Sequence, residues 1–220
     1  MKVLNIAAHP DDELLGQGGT IARHVRAGDR VTSVIVCDGS AVRYGKDAAR
    51  EIEVASREAS KALGVTDLRM LGLPEQGLDT LSLIEINQKI EALIDDVRPE
   101  IVYTHGPSDI NRDHRAILEA VLVATRPFSA PSVREVWLYE TASSTEWGGP
   151  PLLPSFEPQM FVDITETLEL KVRALECYTR EVRPWPHPRS TEGIRARARY
   201  FGSLVGYAAA EPFRLVRLLR

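Results

Sequence analysis

Residues 3–19 of the chain read VLNIAAHPDDELLGQGG, and the rest of the sequence is organised around them. The first six residues are mostly apolar, which is typical of a buried strand in a parallel sheet. His9 and the acids Asp11, Asp12 and Glu13 follow where this strand ends and a helix begins. Ligands of open α/β sheets bind at the carboxyl ends of the strands. Adjacent carboxylates in such a partly dry place repel one another, and a bound cation would relieve that repulsion.

The rest of the chain alternates strands with helices. Further strands are predicted where short apolar runs occur, at residues 31–37, 68–71, 100–104, 135–139 and 160–163. This alternation predicts an α/β fold with a Rossmann-like, mostly parallel sheet and helices on both faces. The 220 residues, of which 44% are hydrophobic, are enough for one large core. We therefore expect a single domain over residues 1–220.

Two segments depart from this alternation. Residues 141–158 hold Trp147 and four prolines, and we interpret them as a long surface loop and a candidate lid over the site. Residues 180–220 hold nine arginines and three acids, a net charge of +6 that leaves −10 for the rest of a chain whose total is −4. An Arg-rich segment on an acidic body indicates phosphate or carboxylate contacts or a subunit interface, with intramolecular salt bridges as the alternative.

The end of the chain is predicted to be helical. A helix is expected over residues 194–210, and the arginines at 214, 217 and 220 recur among apolar residues. We interpret this recurrence as a terminal helix that docks on the body of the protein or on another subunit, so a homo-oligomer is one expectation.

Composition excludes several classes of function. The net charge of −4 argues against general nucleic-acid binding. No apolar run approaches the length of about 18 residues that predicts a transmembrane helix. The N-terminus enters the first strand directly, and the two cysteines, Cys37 and Cys177, form neither a disulfide framework nor a paired-cysteine zinc motif. We therefore expect a cytoplasmic protein.

A second group of candidate ligands lies between His105 and His114, after the strand at residues 100–104. If that strand is a neighbour of the first one, both loops meet at one edge of the sheet. His9, Asp12 and a histidine of the second loop would then form a two-histidine, one-carboxylate site with an open position for water. Such a site suits catalytic Zn²⁺, with Fe²⁺ as the alternative.

These motifs resemble a known family. The sequence His9-Pro10-Asp11-Asp12-Glu13, with the later Asp113-His114-Arg115, is similar to that of the LmbE-like deacetylases, also called the PIG-L or N-acetylglucosaminyl-phosphatidylinositol deacetylase family. The resemblance implies a zinc-dependent amidase that removes acyl groups, usually acetyl, from amino sugars. It also implies His9, Asp12 and His114 as the metal ligands and Asp11 as the general base.

The second motif departs from that family. Many members have His-x-Asp-His there, and the first histidine stabilises the oxyanion, whereas this chain begins the motif with Asn111. An asparagine can donate a hydrogen bond through its amide but cannot release a proton. His105, at the end of the preceding strand, is the alternative for this role. Asp113 is expected to orient a neighbouring side chain.

The sequence thus predicts a hydrolase that removes an N-acyl group, most simply acetyl, from an amino-sugar derivative that is free or linked to a nucleotide or lipid. A water molecule activated by the metal would attack the amide, with Asp11 as base. Arg43, Tyr44 and His187 are the candidate substrate-binding residues. The alternatives are an amidase that acts on another sugar conjugate and a sugar- or nucleotide-binding protein without turnover.

Overall fold

Residues 1–39 and 45–220 are described by the computed structural model, except for the side chains of residues 46 and 47. Arg43 and Tyr44, two of the candidate substrate-binding residues, lie outside the described residues. The strands and helices are, in chain order, β1 (Lys2–Ala7), α1 (Asp12–Arg26), β2 (Arg30–Cys37), α2 (Lys46–Leu63), β3 (Asp67–Leu73), α3 (Leu83–Val97), β4 (Ile101–His105), α4 (Arg112–Ala124), β5 (Glu135–Tyr139), β6 (Met160–Asp163), α5 (Leu168–Glu176), α6 (Thr191–Ser203) and β7 (Ala210–Leu218).

Seven strands form one sheet in the order β3-β2-β1-β4-β5-β7-β6. Strand β1 lies at its centre and pairs in parallel with β2 on one side and with β4 on the other. Only β7, among these strands, runs antiparallel to its neighbours, β5 and β6. The predicted Rossmann-like sheet is therefore confirmed, and the loops after β1 and β4 emerge side by side at the same edge.

The helices cover both faces of the sheet because the apolar side chains of the strands alternate between them. Val3 of β1 packs into the core beneath α1, α2, α5 and α6. Leu4 and Ile6 of the same strand point to the opposite core, beneath α3 and α4. Burial on both sides explains why β1 reads as a continuous apolar run.

Helix α1 packs closely against the sheet at its first glycine and is kinked immediately afterwards. A Cβ atom on Gly16 would lie 2.2 Å from the Tyr139 ring, so only glycine allows this approach. The backbone of Gln17 is non-helical, with φ −148° and ψ 23°. The glycines after β1 therefore serve close helix packing.

A buried ion pair satisfies the backbone groups near this kink. The backbone N–H of Gly19 donates to Glu211 over 3.0 Å, and that of Thr20 donates to Glu211 over 2.7 Å. The Lys171 ammonium donates to the backbone carbonyl of Leu15 over 3.1 Å and lies 2.6 Å from Glu211. In an unbroken helix, the N–H group of Gly19 would donate to the C=O group of Leu15. Here Glu211 accepts from that N–H group and Lys171 donates to that C=O group, so both backbone groups keep a partner.

The predicted helices at the end of the chain are partly wrong. Helix α6 ends at Ser203 instead of residue 210, and residues 210–218 form strand β7. Arg214 and Arg217 therefore lie on a strand that is paired between β5 and β6, and no terminal helix carries them. This pairing joins positions more than 50 residues apart, such as Phe161 and Pro212, and local periodicity does not report such a contact.

Within residues 1–39 and 45–220, no helix combines the length and the apolarity that crossing a bilayer requires.

Candidate metal and catalytic site

The turn after β1 separates two neighbouring carboxylates. Asp11 has a left-handed backbone, with φ 86° and ψ −25°, and helix α1 begins at the next residue. The Asp12 carboxylate turns back to accept a hydrogen bond of 2.9 Å from the backbone N–H of His9. The two carboxylates therefore face different partners although they are adjacent in sequence.

His9, Asp12 and His114 bring three potential ligand atoms together at this edge. His9 Nδ1 lies 3.2 Å from Asp12 Oδ2 and 3.1 Å from His114 Nε2. His114 Nε2 lies 3.1 Å from Asp12 Oδ2. The three atoms form a nearly equilateral triangle of buried donors.

This triangle fits a metal ion. Three atoms that are 3.1 to 3.2 Å apart can all lie at the distance of about 2.0–2.2 Å that nitrogen and carboxylate ligands keep from Zn²⁺. Two histidine nitrogens and one carboxylate oxygen also leave coordination positions open. The end of β1 and the start of α4 therefore bring together three side chains with the geometry of a metal-ligand set.

Two further carboxylates face the other nitrogens of the histidines. His9 Nε2 is 2.9 Å from Oδ2 of Asp113, as expected for a hydrogen bond from the ring. His114 Nδ1 lies 2.8 Å from Oδ2 of Asp109. A carboxylate behind a ligating imidazole fixes its tautomer and its orientation. The position of Asp113 thus agrees with its expected role, and the Asp109 carboxylate lies beside the other histidine, His114.

The charges in this cluster change the pKa values of its members. Burial disfavours the ionised form of Asp12, but His114 and His9 hold its pKa well below the ordinary range. Burial also disfavours a charged His114, yet Asp12 and Asp109 raise its pKa to about 9. Asp11 differs, because burial raises its pKa well above the ordinary range against the opposing charge of Arg189. Of the two neighbouring carboxyl groups, Asp12 therefore has the lowered pKa and Asp11 the raised one, which makes Asp11 the stronger base.

The two candidates for the oxyanion role occupy different places. Asn111 caps helix α4, where its side-chain oxygen accepts the backbone N–H of Asp113 over 2.9 Å, and it lines the cavity above the ligand triangle. His105 is 0% exposed and stacks on the ring of His114, with their centroids 4.0 Å apart. His105 Nε2 accepts the backbone N–H of Ala8 over 2.8 Å. Only Asn111 of this pair is among the cavity-lining residues.

The cavity over these residues has a volume of about 520 Å³. Its metal-side wall is the turn after β1, and its other walls come from the loops after β3, β4 and β5 and from residues 181–189. The residues that face it include Asp11, Asp12, Gln76, Asn111, Trp147 and His187. His187 thus lies at the cavity, as expected of a substrate-binding residue.

Arg189 is a residue of this site that the sequence analysis missed. Its Nη1 atom lies 3.2 Å from Oδ2 of Asp11. The only signal in the sequence was the general one, an Arg-rich segment that predicted carboxylate contacts. Other arginines of that segment form such contacts within the chain, as Arg195 does with Glu169 and Arg197 with Glu140.

The long loop over residues 141–158 is anchored at its beginning. Its first five residues are buried, and Ser144 and Thr145 donate hydrogen bonds to the Asp109 carboxylate. Trp147, at the end of a single 3₁₀ turn, is 57% exposed at the rim of the cavity. Residues 148–158, the later part of this segment, form neither helix nor strand, and the role of the segment as a lid stays a prediction.

Comparison with known proteins assigns the chain to a family. Residues 4–125 match the family model of PIG-L, described as GlcNAc-PI de-N-acetylase. The chain is 31% identical to the uncharacterized deacetylase YaiS of Escherichia coli (strain K12), over 79% of this chain and 88% of that protein. It is 28% identical to the diacetylchitobiose deacetylase of Thermococcus kodakarensis, over 98% of this chain and 83% of that protein.

A solved structure also shares this fold. The structure of the conserved protein TT1542 from Thermus thermophilus superimposes with a TM-score of 0.80 at 27% identity, over 97% of this chain and 93% of that one. The family match begins within β1 and includes both the His-Pro-Asp-Asp-Glu turn and the start of α4, which together supply the ligand triangle. The chain belongs to the PIG-L family of de-N-acetylases.

Proposed function

We propose that this protein is a zinc-dependent N-deacetylase that removes the acetyl group from an amino-sugar derivative. The observation that carries the proposal is the pairing of two features at one cavity. One is the buried triangle of His9, Asp12 and His114, and the other is a separate carboxylate, that of Asp11, at the same cavity wall. A sugar-binding protein without turnover would need neither a metal-ligand set nor an adjacent base.

Zinc is the ion that we assign to the triangle. Catalytic zinc sites in proteins commonly have three protein ligands of the histidine and carboxylate type. Fe²⁺ is also bound by two histidines and one carboxylate. Zinc is favoured here because amide hydrolysis needs a Lewis acid and no change of redox state.

The residues around the triangle divide the remaining chemistry. A zinc ion held by these residues would lower the pKa of its water to about 7 and would so supply a nucleophile at neutral pH. Asp11 accepts the proton of the attacking water, and its raised pKa favours holding that proton. Asp11 then returns the proton to the nitrogen of the amine as the C–N bond breaks.

Asn111 is assigned to the oxyanion. Its side-chain oxygen is already used by the backbone N–H of Asp113, so the amide NH₂ is the group left to donate toward the cavity. One such donor stabilises the negative charge that develops on the carbonyl oxygen. Because asparagine cannot release a proton, proton delivery to the amine rests on Asp11 alone.

The cavity suits a sugar that carries a further group. Its volume of about 520 Å³ falls within the usual range of about 300–1,000 Å³ for small-molecule sites. Trp147 and Ile110 are exposed apolar side chains at the cavity, and Arg183 and His187 also line it. An aromatic ring there can pack on the apolar face of a sugar, and Arg183 and His187 can bind polar or anionic substituents. One relative is named as a deacetylase of diacetylchitobiose, an N-acetylated amino sugar.

A substrate screen tests the function. Purified protein loaded with zinc is incubated with N-acetylated amino sugars that are free, nucleotide-linked or lipid-linked, and acetate is measured. We expect release from at least one of them, abolished by a chelator. Asp11→Asn is expected to lower kcat by about 10²–10⁴-fold while zinc stays bound.

Asp79→Asn is the matched control, because Asp79 forms an exposed ion pair with Arg112 outside the cavity. Its kcat should equal that of the wild type. Ligand binding without acetate release from any substrate, or unchanged release in Asp11→Asn, would exclude the proposed reaction.

A further inference from the structure

We propose that Arg189 is a positioning residue for Asp11, which it holds in the orientation needed to take the proton of the attacking water. This inference rests on the proposed function. It begins from a contact between parts of the chain 178 positions apart, since Arg189 Nη1 donates to Asp11 Oδ2 over 3.2 Å. The Asp11 side chain is 2% exposed, and that of Arg189 is 24% exposed.

Asp11 needs such a partner because of its surroundings. Its carboxylate is buried next to those of Asp12 and Glu13, and both neighbours disfavour a second negative charge there. Among the side chains that the structure describes, those of residues 1–39, 45 and 48–220, Arg189 is the one cation within 4 Å of the Asp11 carboxylate. Arg189 therefore attracts this carboxylate and directs it.

Arg189 is itself fixed from two directions. Its Nε atom donates to the Ser143 hydroxyl over 2.6 Å, and Nη1 also donates to Glu181 over 2.7 Å. Ser143 belongs to the loop after β5, and its backbone N–H donates to Glu146 over 2.8 Å. A planar guanidinium held at several atoms restricts the group that it contacts more than a flexible ammonium does.

The backbone at Asp11 increases the need for this restraint. Asp11 is one of four non-glycine residues with positive φ among those described, and its carbonyl accepts the N–H groups of Leu14 and Leu15 at 2.9 Å. The backbone is thus fixed by the start of α1, while the side chain is held by its ion pair with Arg189. Loss of Arg189 would leave the main chain in place and free the carboxylate to turn.

A direct role in substrate binding is the competing explanation, because Arg189 also lines the cavity. The two explanations differ in what happens when Asp11 is absent. If Arg189 acts through Asp11, replacing Arg189 should change the kinetics little in a protein that already carries Asp11→Asn. If Arg189 binds substrate, the same replacement should weaken catalysis in Asp11→Asn as much as in the wild type.

The experiment compares Arg189→Met, Arg189→Lys, Asp11→Asn and the double variant Asp11→Asn/Arg189→Met. In Arg189→Met we expect kcat to fall by about 100-fold, the usual loss for a reacting group misplaced by about 1 Å. KM should stay within about threefold of the wild type, as for an interaction made in the transition state. Zinc content should remain one ion per chain, Arg189→Lys should be intermediate, and added guanidinium should raise the kcat of Arg189→Met.

The matched control is Arg195→Met, which removes an arginine of the same segment that pairs with Glu169 outside the cavity. Its kcat should equal the wild-type value and should not respond to guanidinium. The kcat of the double variant should lie within about threefold of the kcat of Asp11→Asn. A rise in KM without a loss of kcat, or the full 100-fold loss again in the Asp11→Asn background, would overturn the proposal.

Thermal unfolding of the metal-depleted proteins gives a readout that needs no substrate. If Arg189 pairs with Asp11, the Tm shift of the double variant should be smaller than the sum of the two single shifts. Additive shifts would overturn the pairing. A wild-type protein without deacetylase activity would refute the proposed function, and this unfolding cycle would still report on the contact.

Discussion

Oδ2 of Asp113 lies 2.9 Å from Nε2 of His9, on the side of the ring opposite the metal-ligand triangle. The same carboxylate accepts the backbone N–H groups of Gln76 and Leu78, at 2.6 and 3.2 Å. Asp113 therefore connects the loop after β3 to a ligand that β1 supplies, and it keeps Nδ1 of His9 available for a metal.

Replacing Asp113 should weaken the metal site without removing a ligand. For Asp113→Asn we expect the affinity for Zn²⁺ to fall by about 10–100-fold, the usual effect of losing the carboxylate behind a ligating histidine. A competition titration with a chelating dye measures this affinity. Asp79→Asn serves as the control and should bind zinc like the wild type. An unchanged affinity in Asp113→Asn would show that this carboxylate does not support the site.

The buried pair of Lys171 and Glu211 should be important for stability. Glu211→Gln leaves the Lys171 ammonium buried without its counter-charge, and breaking a buried pair in this way costs about 3–5 kcal/mol. The free energy of unfolding in urea measures this loss. The control is Glu166→Gln at the exposed pair with Arg26, for which we expect a change of about 0–1 kcal/mol. Equal effects in the two variants would contradict the proposed role of the buried pair at the helix kink.

Asn111 should affect catalysis through its amide group and stability through its oxygen. Asn111→Ser keeps an oxygen that can cap helix α4 but removes the NH₂ donor, so we expect near wild-type stability. Its kcat should fall by about 10²–10³-fold, the range found when one oxyanion donor is removed. Asn111→Ala should lose the same activity and, in addition, about 1 kcal/mol of stability. Full activity in Asn111→Ser would exclude Asn111 as the oxyanion donor.

His105 should instead be important for the structure beneath the site. In His105→Phe the buried backbone N–H of Ala8 loses its acceptor, and an unsatisfied buried donor costs about 1–3 kcal/mol. Urea unfolding of the metal-depleted variant measures this loss. The folded fraction loaded with zinc should retain a kcat closer to the wild type than Asn111→Ser does. The reverse order of kcat values would assign the oxyanion role to His105.

The sequence was sufficient to predict the fold class and the convergence of the two motifs. Both depend on local patterns, since apolar runs predict parallel strands and polar residues at strand ends mark the edge where ligands bind. Once β4 is placed beside β1, His9 and His114 must meet, and the structure confirms that neighbourhood. The meeting of His9 and His114, about a hundred positions apart, could therefore be predicted, and their role as metal ligands stays a proposal.

The parts that could not be predicted depend on contacts between distant segments. Strand β7 enters the sheet between β5 and β6, and no local period distinguishes its Arg-Leu-Val-Arg-Leu sequence from a short helix. Arg189 follows a proline-rich turn, and its approach to Asp11 depends on how residues 181–189 return across the sheet edge. Lys171 and Glu211 meet beside the kink of α1 for a similar reason.

The most direct test of the central claim follows acetate release as zinc is returned to metal-depleted protein, with the best substrate from the screen. We expect the rate to rise in proportion to added Zn²⁺ and to level off at one ion per chain, because we assign one zinc ion to His9, Asp12 and His114. His114→Ala should show no comparable rise at the same zinc concentrations. Acetate release by the metal-depleted wild type, or full recovery in His114→Ala, would contradict a deacetylase that depends on this metal site.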